Sequence, residues 1–137
     1  MEAVIKAICI SEMRGTVKKD IKEAELIEDF GIKGDAHAGK WHRQISLLSY
    51  ERVEEFRKKG ANVTDGSFGE NILAEGIDFK ELPVGTKLKS GEVLLEVTQI
   101  GKKCHSECEI FKMAREGIFA KVLHGGRLKA GDKLYVL

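Results

Sequence analysis

The segment EVLLEVTQI, residues 92–100, carries the strongest strand pattern in the chain. Its centre is almost continuously apolar, which is typical of a strand buried on both faces. This strand runs directly into GKKCHSEC, residues 101–108. Ser106 and Glu109 have the spacing of a capping box, so a helix is predicted over 106–116. The sequence therefore predicts a strand–loop–helix junction that carries two cysteines.

Cys104 is the predicted reactive residue of this junction. It would lie just before the helix, and Cys108 would lie in the first helical turn, so both thiols would face the positive end of the helix dipole. Lys102 and Lys103 are adjacent. These features lower a thiol pKa and favour the thiolate, which is the form that reacts and binds metals. A structural role explains Cys108 equally well, and Cys9, inside an apolar run, is predicted to be a small buried hydrophobe.

The rest of the chain is mostly strand-like. Fifteen glycines and one proline mark the turns, and further strands are predicted over 3–10, 21–28, 44–48 and 131–137. A helix is predicted over 50–59, with Ser49 as its cap. This pattern predicts a mainly β fold, a closed or nearly closed β-barrel of mostly antiparallel strands with two short peripheral helices. We expect residues 1–137 to form a single domain.

Composition excludes several classes of function. The 137 residues include 23 Lys and Arg against 22 Asp and Glu, so there is no general electrostatic case for nucleic acid. No apolar run approaches the ~18–20 residues that span a bilayer, and the N-terminus lacks a signal-peptide pattern. Three cysteines do not make a disulfide framework and fit a reducing compartment. We therefore expect a cytoplasmic protein with neither nucleic acid nor membrane as a partner.

The glycine-containing segment GIKGDAHAGKWHR, residues 31–43, is the first candidate ligand loop. Small residues let the backbone approach a ligand closely. Lys40, His42 and Arg43 can hold an anion, and Trp41 offers a flat face for a heterocycle. An ordinary polar loop explains the segment equally well, and it matches neither a Walker loop nor a dinucleotide fingerprint.

Two further segments carry candidate binding residues. In SFGEN, the Glu70 carboxylate and the Asn71 amide could hydrogen-bond a pterin-like ring, or they could tie two loops together. In KVLHGGR, Lys121 and Arg127 could complete an anion site, or they could belong to a solvated hairpin. The residues alone leave both pairs of alternatives open.

A zinc site is a less favoured alternative for the cysteine junction. Cys104, His105 and Cys108 supply the right donor types. The chain has no second cysteine pair, so the remaining ligands would have to come from other histidines. A disulfide between Cys104 and Cys108 also stays open if Cys104 precedes the helix.

Taken in order, these segments resemble the MOSC domain family, named from the C-terminal domain of molybdenum cofactor sulfurases. The matching motifs are GDxHxG at 34–39, RQISLL at 43–48, FGEN at 68–71, GID at 76–78, LxxG at 82–85, TQ at 98–99 and GxxxxGD at 126–132. Cys104 falls on the signature cysteine of the family. The order and spacing together are specific, although no single motif is.

The resemblance implies a barrel-like β fold that binds molybdenum cofactor (molybdopterin) or a related pterin and carries sulfur as a cysteine persulfide. Cys104 would be the catalytic residue, carrying sulfur or coordinating molybdenum, and Cys108 is a second candidate metal ligand. The candidate cofactor-binding residues are His37, Lys40, Arg43, Glu70, Asn71, Lys121 and Arg127. The cations among them would hold the pterin phosphate.

This chain resembles the short, stand-alone bacterial branch of the family. It has no room for a cysteine desulfurase domain, so no pyridoxal phosphate is expected, and a sulfur donor or a molybdoenzyme would be its protein partner. The Pro-Arg pair of the larger N-oxide-reducing members is replaced by Ile100-Gly101, so that activity is not expected. The alternative is a non-catalytic barrel that stores or delivers the cofactor or docks on a partner. Catalytic turnover is left open.

Overall fold

The structure, a computed structural model, describes residues 1–101 and 116–137. Within them, helix α1 spans Tyr50–Lys58 and a 3-10 turn spans Phe79–Glu81. The strands are β1 Glu2–Ile10, β2 Lys19–Asp20, β3 Glu23–Ile27, β4 Gly31–Ile32, β5 Ile45–Ser49, β6 Ile72–Glu75, β7 Lys87–Ser90, β8 Val93–Ile100, β9 Ile118–His124, β10 Gly126–Lys129 and β11 Lys133–Val136. The five predicted strands correspond to β1, β3, β5, β8 and β11.

Seven strands close a barrel in the order β1, β6, β5, β9, β8, β7 and β11, and β11 pairs back with β1. The β5–β6 pair is parallel, and the other described pairs of the barrel are antiparallel. Strand β2 pairs antiparallel with the end of β1. Strands β10, β3 and β4 form a second, three-stranded sheet. The predicted fold class, a mainly β closed barrel of mostly antiparallel strands, is confirmed.

Two apolar clusters hold the fold together. The larger fills the barrel and includes the fully buried side chains of Phe79, Leu88 and Leu95. The smaller contains Cys9 on β1, Val53 on α1 and residues of β5 and β6, so it joins the helix to the barrel wall. Cys9 is fully buried, as its apolar run predicts. Because β1 has the barrel on one side and this second cluster on the other, three consecutive residues of the strand are buried at that point.

Strand β8 differs from the prediction in its burial. Val93, Leu95 and Val97 are buried, but the residues between them are only partly covered. The predicted burial on both faces is therefore wrong. The inner face meets the barrel core, whereas the outer face carries Glu96, whose carboxylate lies 3.2 Å from the Lys121 ammonium on β9. An apolar run alone does not reveal which face a barrel leaves open.

Helix α1 begins where predicted, but Ser49 does not cap it. The Ser49 hydroxyl donates to the Ile77 carbonyl at 2.6 Å and accepts the Phe79 N–H at 3.1 Å. It makes no side-chain bond to the helix. The predicted capping bond is wrong because buried backbone groups ahead of the 3-10 turn need the same hydroxyl.

Several predictions fall on residues 102–115, outside the described part of the chain. They concern Cys104, Cys108, their flanking lysines and nearly all of the second predicted helix. Among the residues that are described, no helix is long and apolar enough to cross a membrane.

Candidate functional site

A cavity of about 410 Å³ opens at one end of β5, where loops from both sides of the barrel meet the start of β9. This volume is within the range of small-molecule sites, about 300–1,000 Å³. Its wall combines cationic, aromatic and hydrogen-bonding side chains: Arg14, Lys18 and Arg43; Trp41, Phe68 and Phe119; His37, Ser46, Glu70 and Asn71. Such a mixture can hold an anionic or flat, polar ligand.

Four of the seven predicted cofactor-binding residues line this cavity, namely His37, Arg43, Glu70 and Asn71. The parallel pairing of β5 with β6 explains their convergence, because Arg43 lies two residues before β5 and Asn71 directly precedes β6. In a parallel pair the starts of both strands lie at the same edge of the sheet. Two motifs that are separate in sequence therefore meet at one site.

The other three predicted residues are not among the described residues that line the cavity. Lys40 is exposed on the loop before β5. Lys121 pairs with Glu96 at 3.2 Å on the outer face of the barrel. Arg127, on the second sheet, faces the exposed carboxylate of Glu23 at 3.6 Å. The structure thus brings only Arg43 of the predicted phosphate-binding cations to the cavity.

Asn71 ties three segments together beneath the cavity. Its side-chain oxygen accepts the Ser46 N–H at 2.9 Å, and its amide group donates to the Cys9 carbonyl at 3.0 Å and to the Asp35 carboxylate at 3.1 Å. The side chain is almost fully buried. An amide with all these partners has a structural task, because losing any of them would leave a buried polar group unsatisfied.

Glu70 organises the loop that precedes β6. Its two carboxylate oxygens accept the N–H groups of Gly66 at 2.9 Å and Phe68 at 3.0 Å. Burial raises the pKa of this carboxyl, against the opposing effect of the two backbone bonds. Gly66 has φ +93°, and a Cβ there would overlap the carbonyl oxygen of Lys18. The loop is therefore pressed against the segment that carries Lys18, and it presents Phe68 to the cavity.

A buried ion pair at the cavity wall was not anticipated from the sequence. The Lys18 ammonium lies 2.6 Å from the Asp35 carboxylate, with side-chain exposures of 3% and 0%. The same ammonium lies 3.0 Å from Nδ1 of His37, and Asp35 also accepts the Ser11 N–H at 3.2 Å. Buried charges are tolerated in proteins when they are paired and hydrogen-bonded in this way.

No local signal distinguishes Lys18 from an ordinary surface lysine. It stands beside Lys19, which is exposed, in a segment without a motif. Asp35 belongs to the GDxHxG motif, but its partner is 17 positions away in the chain. Only the approach of the two loops selects this lysine.

Arg43 enters the cavity in a fixed orientation. Its Nε donates to the side-chain oxygen of Gln99 at 3.0 Å, and its guanidinium lies over the Phe119 ring at 5.0 Å. Within residues 1–101 and 116–137, its two terminal amino groups make no hydrogen bond. A guanidinium held over an aromatic ring, with both amino groups unbonded among the described residues, is suited to bidentate binding of an oxyanion.

Gln99 connects this arginine with the end of β8. Its oxygen also lies 3.0 Å from Nε2 of His42, and its amide donates to the Gly101 carbonyl at 2.8 Å. The Gly101 N–H in turn donates to the carbonyl of Gly117, a cavity-lining residue, at 2.8 Å. This hydrogen bond therefore holds Gly101 next to the cavity wall.

Trp41 and Arg14 form the more exposed side of the cavity. The indole N–H donates to the His37 carbonyl at 2.9 Å, which fixes the ring, and 38% of Trp41 is exposed. The Arg14 guanidinium lies 6.0 Å from the indole centre. Together they offer an aromatic face beside a positive charge.

Metal ligands cannot be assigned within the described ranges. No group of three His, Cys, Asp or Glu side chains in these ranges is placed to hold a metal ion. The candidate ligands Cys104 and Cys108 lie outside them. The zinc alternative stays an untested prediction for the same reason.

Comparison with known proteins supports the motif order. The MOSC domain family model matches residues 34–135, well over half of the chain. No curated protein matches significantly. Among solved structures, YuaD from Bacillus subtilis is similar with a TM-score of 0.81 at 20% identity, covering 98% of this chain and 94% of that one.

Two structures of YiiM are also similar. The Escherichia coli protein gives a TM-score of 0.67 at 20% identity, covering 100% of this chain and 70% of the other. The Geobacillus stearothermophilus protein gives 0.71 at 18% identity, covering 98% and 75%. At such identities the likeness concerns the fold, and the family is shown by the sequence model: this chain belongs to the MOSC domain family.

Proposed function

We propose that this protein binds molybdenum cofactor, or a related anionic pterin, in the cavity beside β5, and that Cys104 handles sulfur there. Membership of the MOSC family associates the chain with molybdenum cofactor in general. The observation that carries this proposal is the Arg43 guanidinium at the cavity, held by Gln99 and Phe119, whose two terminal amino groups make no hydrogen bond to residues 1–101 or 116–137.

The residues of the cavity fit such a cofactor. A pterin carrying a phosphate needs a cationic partner for the anion and a flat, polar enclosure for the ring. Arg43 and Arg14 supply the charge, while Trp41 and Phe68 supply aromatic faces. Glu70 and Asn71 support this enclosure indirectly, because their side chains bind backbone groups of the surrounding segments. This role corresponds to the second alternative that the sequence left open for them, in which they tie two loops together.

Cys104 is close to this cavity along the chain. It follows Gly101 by three residues, and three residues span no more than about 11 Å. Gly101 is bonded to the cavity-lining Gly117. The two lysines that precede Cys104 favour its thiolate. The chain length from Gly101 therefore allows a sulfur atom carried on Cys104 to approach a ligand bound beside Arg43.

Transfer of sulfur from a persulfide donor to Cys104 needs no added oxidant. The thiolate attacks the outer sulfur of a persulfide donor, a new S–S bond forms on Cys104, and the donor leaves as a thiolate. Molybdenum, when bound with its pterin, supplies a soft metal centre that accepts sulfur ligands. The residues of this chain bind the anionic arm, enclose the ring and present the sulfur. A sulfur donor or a molybdoenzyme would be the protein partner.

Sulfur loading tests the role of Cys104. Purified protein is treated with a small-molecule persulfide donor and analysed by mass spectrometry. We expect an added mass of one sulfur that reductant removes, and no such mass in Cys104→Ser. Cys9→Ala is the matched control, because burial raises the pKa of the Cys9 thiol and leaves it unreactive at neutral pH. Loading of Cys104→Ser equal to that of the wild type would refute the sulfur-carrier role.

Cofactor binding is tested separately. The protein is purified from a host that makes molybdenum cofactor and from a cofactor-deficient host, and bound pterin and molybdenum are measured. We expect both only from the first host, with at least a tenfold loss in Arg43→Met, since a charged hydrogen bond contributes about 1.5–3 kcal/mol. Cofactor binding without sulfur loading would favour the storage or delivery module. Absence of both ligands from both preparations would refute the binding proposal.

A further inference from the structure

We propose that Gln99 is a positioning residue that fixes the orientation of the Arg43 guanidinium while leaving its positive charge for an anionic ligand. Its neutral side chain then sets both the direction and the strength of the anion site in the cavity. The consequence for ligand binding rests on the proposed cofactor-binding function, whereas the orientation of Arg43 itself does not.

The orientation of the Gln99 amide follows from its partners. Nε of Arg43 lies 3.0 Å from the amide and can only donate, because a guanidinium has no acceptor. The atom that faces it is therefore the amide oxygen. The amide nitrogen then faces the Gly101 carbonyl at 2.8 Å and donates to it. Exchanging the two amide atoms would set donor against donor and acceptor against acceptor, so this arrangement alone satisfies both partners.

The end of β8 that carries Gln99 holds Arg43 in place. The Thr98 hydroxyl donates to the His42 carbonyl, so β8 also fixes the backbone directly before the arginine. The guanidinium lies over the Phe119 ring at 5.0 Å, which covers one of its faces. A bond to Nε together with this ring holds the guanidinium at two points. The direction of its two terminal amino groups is then determined, because the guanidinium is planar and rigid.

A neutral partner distinguishes Arg43 from Arg57 on α1. Arg57 is paired with the Asp65 carboxylate at 2.6 Å, which compensates its charge. Gln99 instead offers Arg43 an acceptor without a charge. Glu70, which also lines the cavity, is bound by two backbone N–H groups. Among the described residues the charge of Arg43 is thus left for a ligand, whereas a carboxylate at position 99 would take the same bond and compensate that charge.

Exchange of the Arg43 Nε proton with water, followed by nitrogen-15 NMR of the ligand-free protein, tests the positioning role. The signal is assigned by its loss in Arg43→Lys. We expect slow exchange in the wild type, because a hydrogen-bonded proton is protected. Gln99→Met removes the acceptor and should speed the exchange roughly tenfold, the factor that corresponds to one net hydrogen bond. Wild-type exchange as fast as that of the exposed Arg127, or unchanged exchange in Gln99→Met, would overturn this role.

Titration with inorganic phosphate tests the neutrality of Gln99, with binding followed by the backbone NMR signals of the cavity wall. Gln99→Glu should keep the slow exchange of the Arg43 proton, because a carboxylate also accepts from Nε. It should nevertheless bind phosphate roughly tenfold more weakly than the wild type, because the added negative charge repels the anion. The affinity of Gln99→Met should lie between the two. Asn62→Asp makes the same amide-to-carboxylate change at an exposed position outside the cavity and should bind phosphate like the wild type.

A purely structural role of Gln99 predicts a different order of affinities. Both variants lose the bond from the Gln99 amide to Gly101, so a structural role gives them the same loss of phosphate binding. That result, wild-type affinity in Gln99→Glu, or a wild type that binds no phosphate at the cavity would overturn the proposal. If either variant fails to fold, the exchange rate and phosphate binding of the wild type still decide. Because phosphate replaces the cofactor here, failure of these measurements is distinct from failure of cofactor binding, which the host comparison measures.

Discussion

The barrel interior and the cavity wall are both buried, but different forces stabilise them. Phe79, Leu88 and Leu95 fill the interior with apolar surface, whose removal from water is favourable and has no preferred direction. At the cavity wall, Lys18 and Asp35 are equally buried, and their polar atoms bond to named partners at fixed distances. The interior can therefore tolerate apolar exchanges that conserve volume, whereas the wall depends on complete pairing.

The largest effect should come from breaking the ion pair of the wall. Lys18→Met leaves the Asp35 carboxylate buried without its partner, and such changes cost about 3–5 kcal/mol in the free energy of unfolding. Urea denaturation measures the loss. The double variant Lys18→Met/Asp35→Asn should recover most of it, and a loss equal to that of the single variant would contradict the comparison.

A cavity in the barrel interior should have a similar or slightly smaller effect of a different character. Leu95→Ala removes a fully buried side chain and should cost about 2–5 kcal/mol. Its deficit should be independent of pH between about 5 and 8, because the substitution removes no titratable group. Val84→Ala, at a 60% exposed position, is the control and should change stability by less than about 0.5 kcal/mol. A marked pH dependence of the Leu95→Ala deficit would argue against separate regions.

A smaller loss is expected in the loop organised by Glu70. Glu70→Gln places an amide NH2 against one of the two N–H donors and should cost about 1–3 kcal/mol. Because burial raises the Glu70 pKa above its ordinary 4.5, the wild type loses stability as the pH rises through the raised value. Glutamine does not titrate. The difference between the two proteins should therefore be larger near pH 4.5 than at pH 8, and the reverse order would show that the backbone bonds outweigh burial.

The smallest stability effect should belong to Arg43, whose proposed task is to bind. Arg43→Met keeps a side chain that can pack on Phe119 and removes one hydrogen bond to Gln99. We expect a loss of unfolding free energy of about 1 kcal/mol or less, together with the large loss of cofactor described above. Thermal unfolding and pterin content of the same preparation check both parts. A stability loss as large as that of Lys18→Met would place Arg43 in the structural network instead.

Much of the fold follows from local patterns. Alternation and turn residues identified β1, β5, β8 and β11, because a half-buried strand must repeat its apolar residues every second position. The same patterns did not predict side-chain bonding or burial where these depend on contact with another segment. The Ser49 hydroxyl serves backbone groups near residue 78 instead of the helix, and the outer face of β8 is open although its centre is apolar.

The candidate site was only partly predictable. Motif loops supplied His37, Arg43, Glu70 and Asn71, which the structure brings to one cavity. Basic residues in other loops were equally plausible from the sequence, since a cation in a turn has the same local appearance whether or not it faces a ligand. Lys121 and Arg127 instead meet carboxylates on neighbouring strands.

Local sequence patterns are enough to predict the β-barrel class, the positions of the main strands and α1, and the family to which the order of motifs belongs. These depend on periodicity and spacing, which are properties of neighbouring residues. Only the folded chain shows that Lys18 is buried against Asp35 and that Arg43 and Asn71 line the same cavity. The physical reason is that hydrogen bonds and charge pairs act over about 3 Å in space. Lys18 and Asp35 are 17 positions apart in the chain and meet at that distance only when their loops pack together. Arg43 and Asn71 are 28 positions apart and reach one cavity only when β5 pairs with β6.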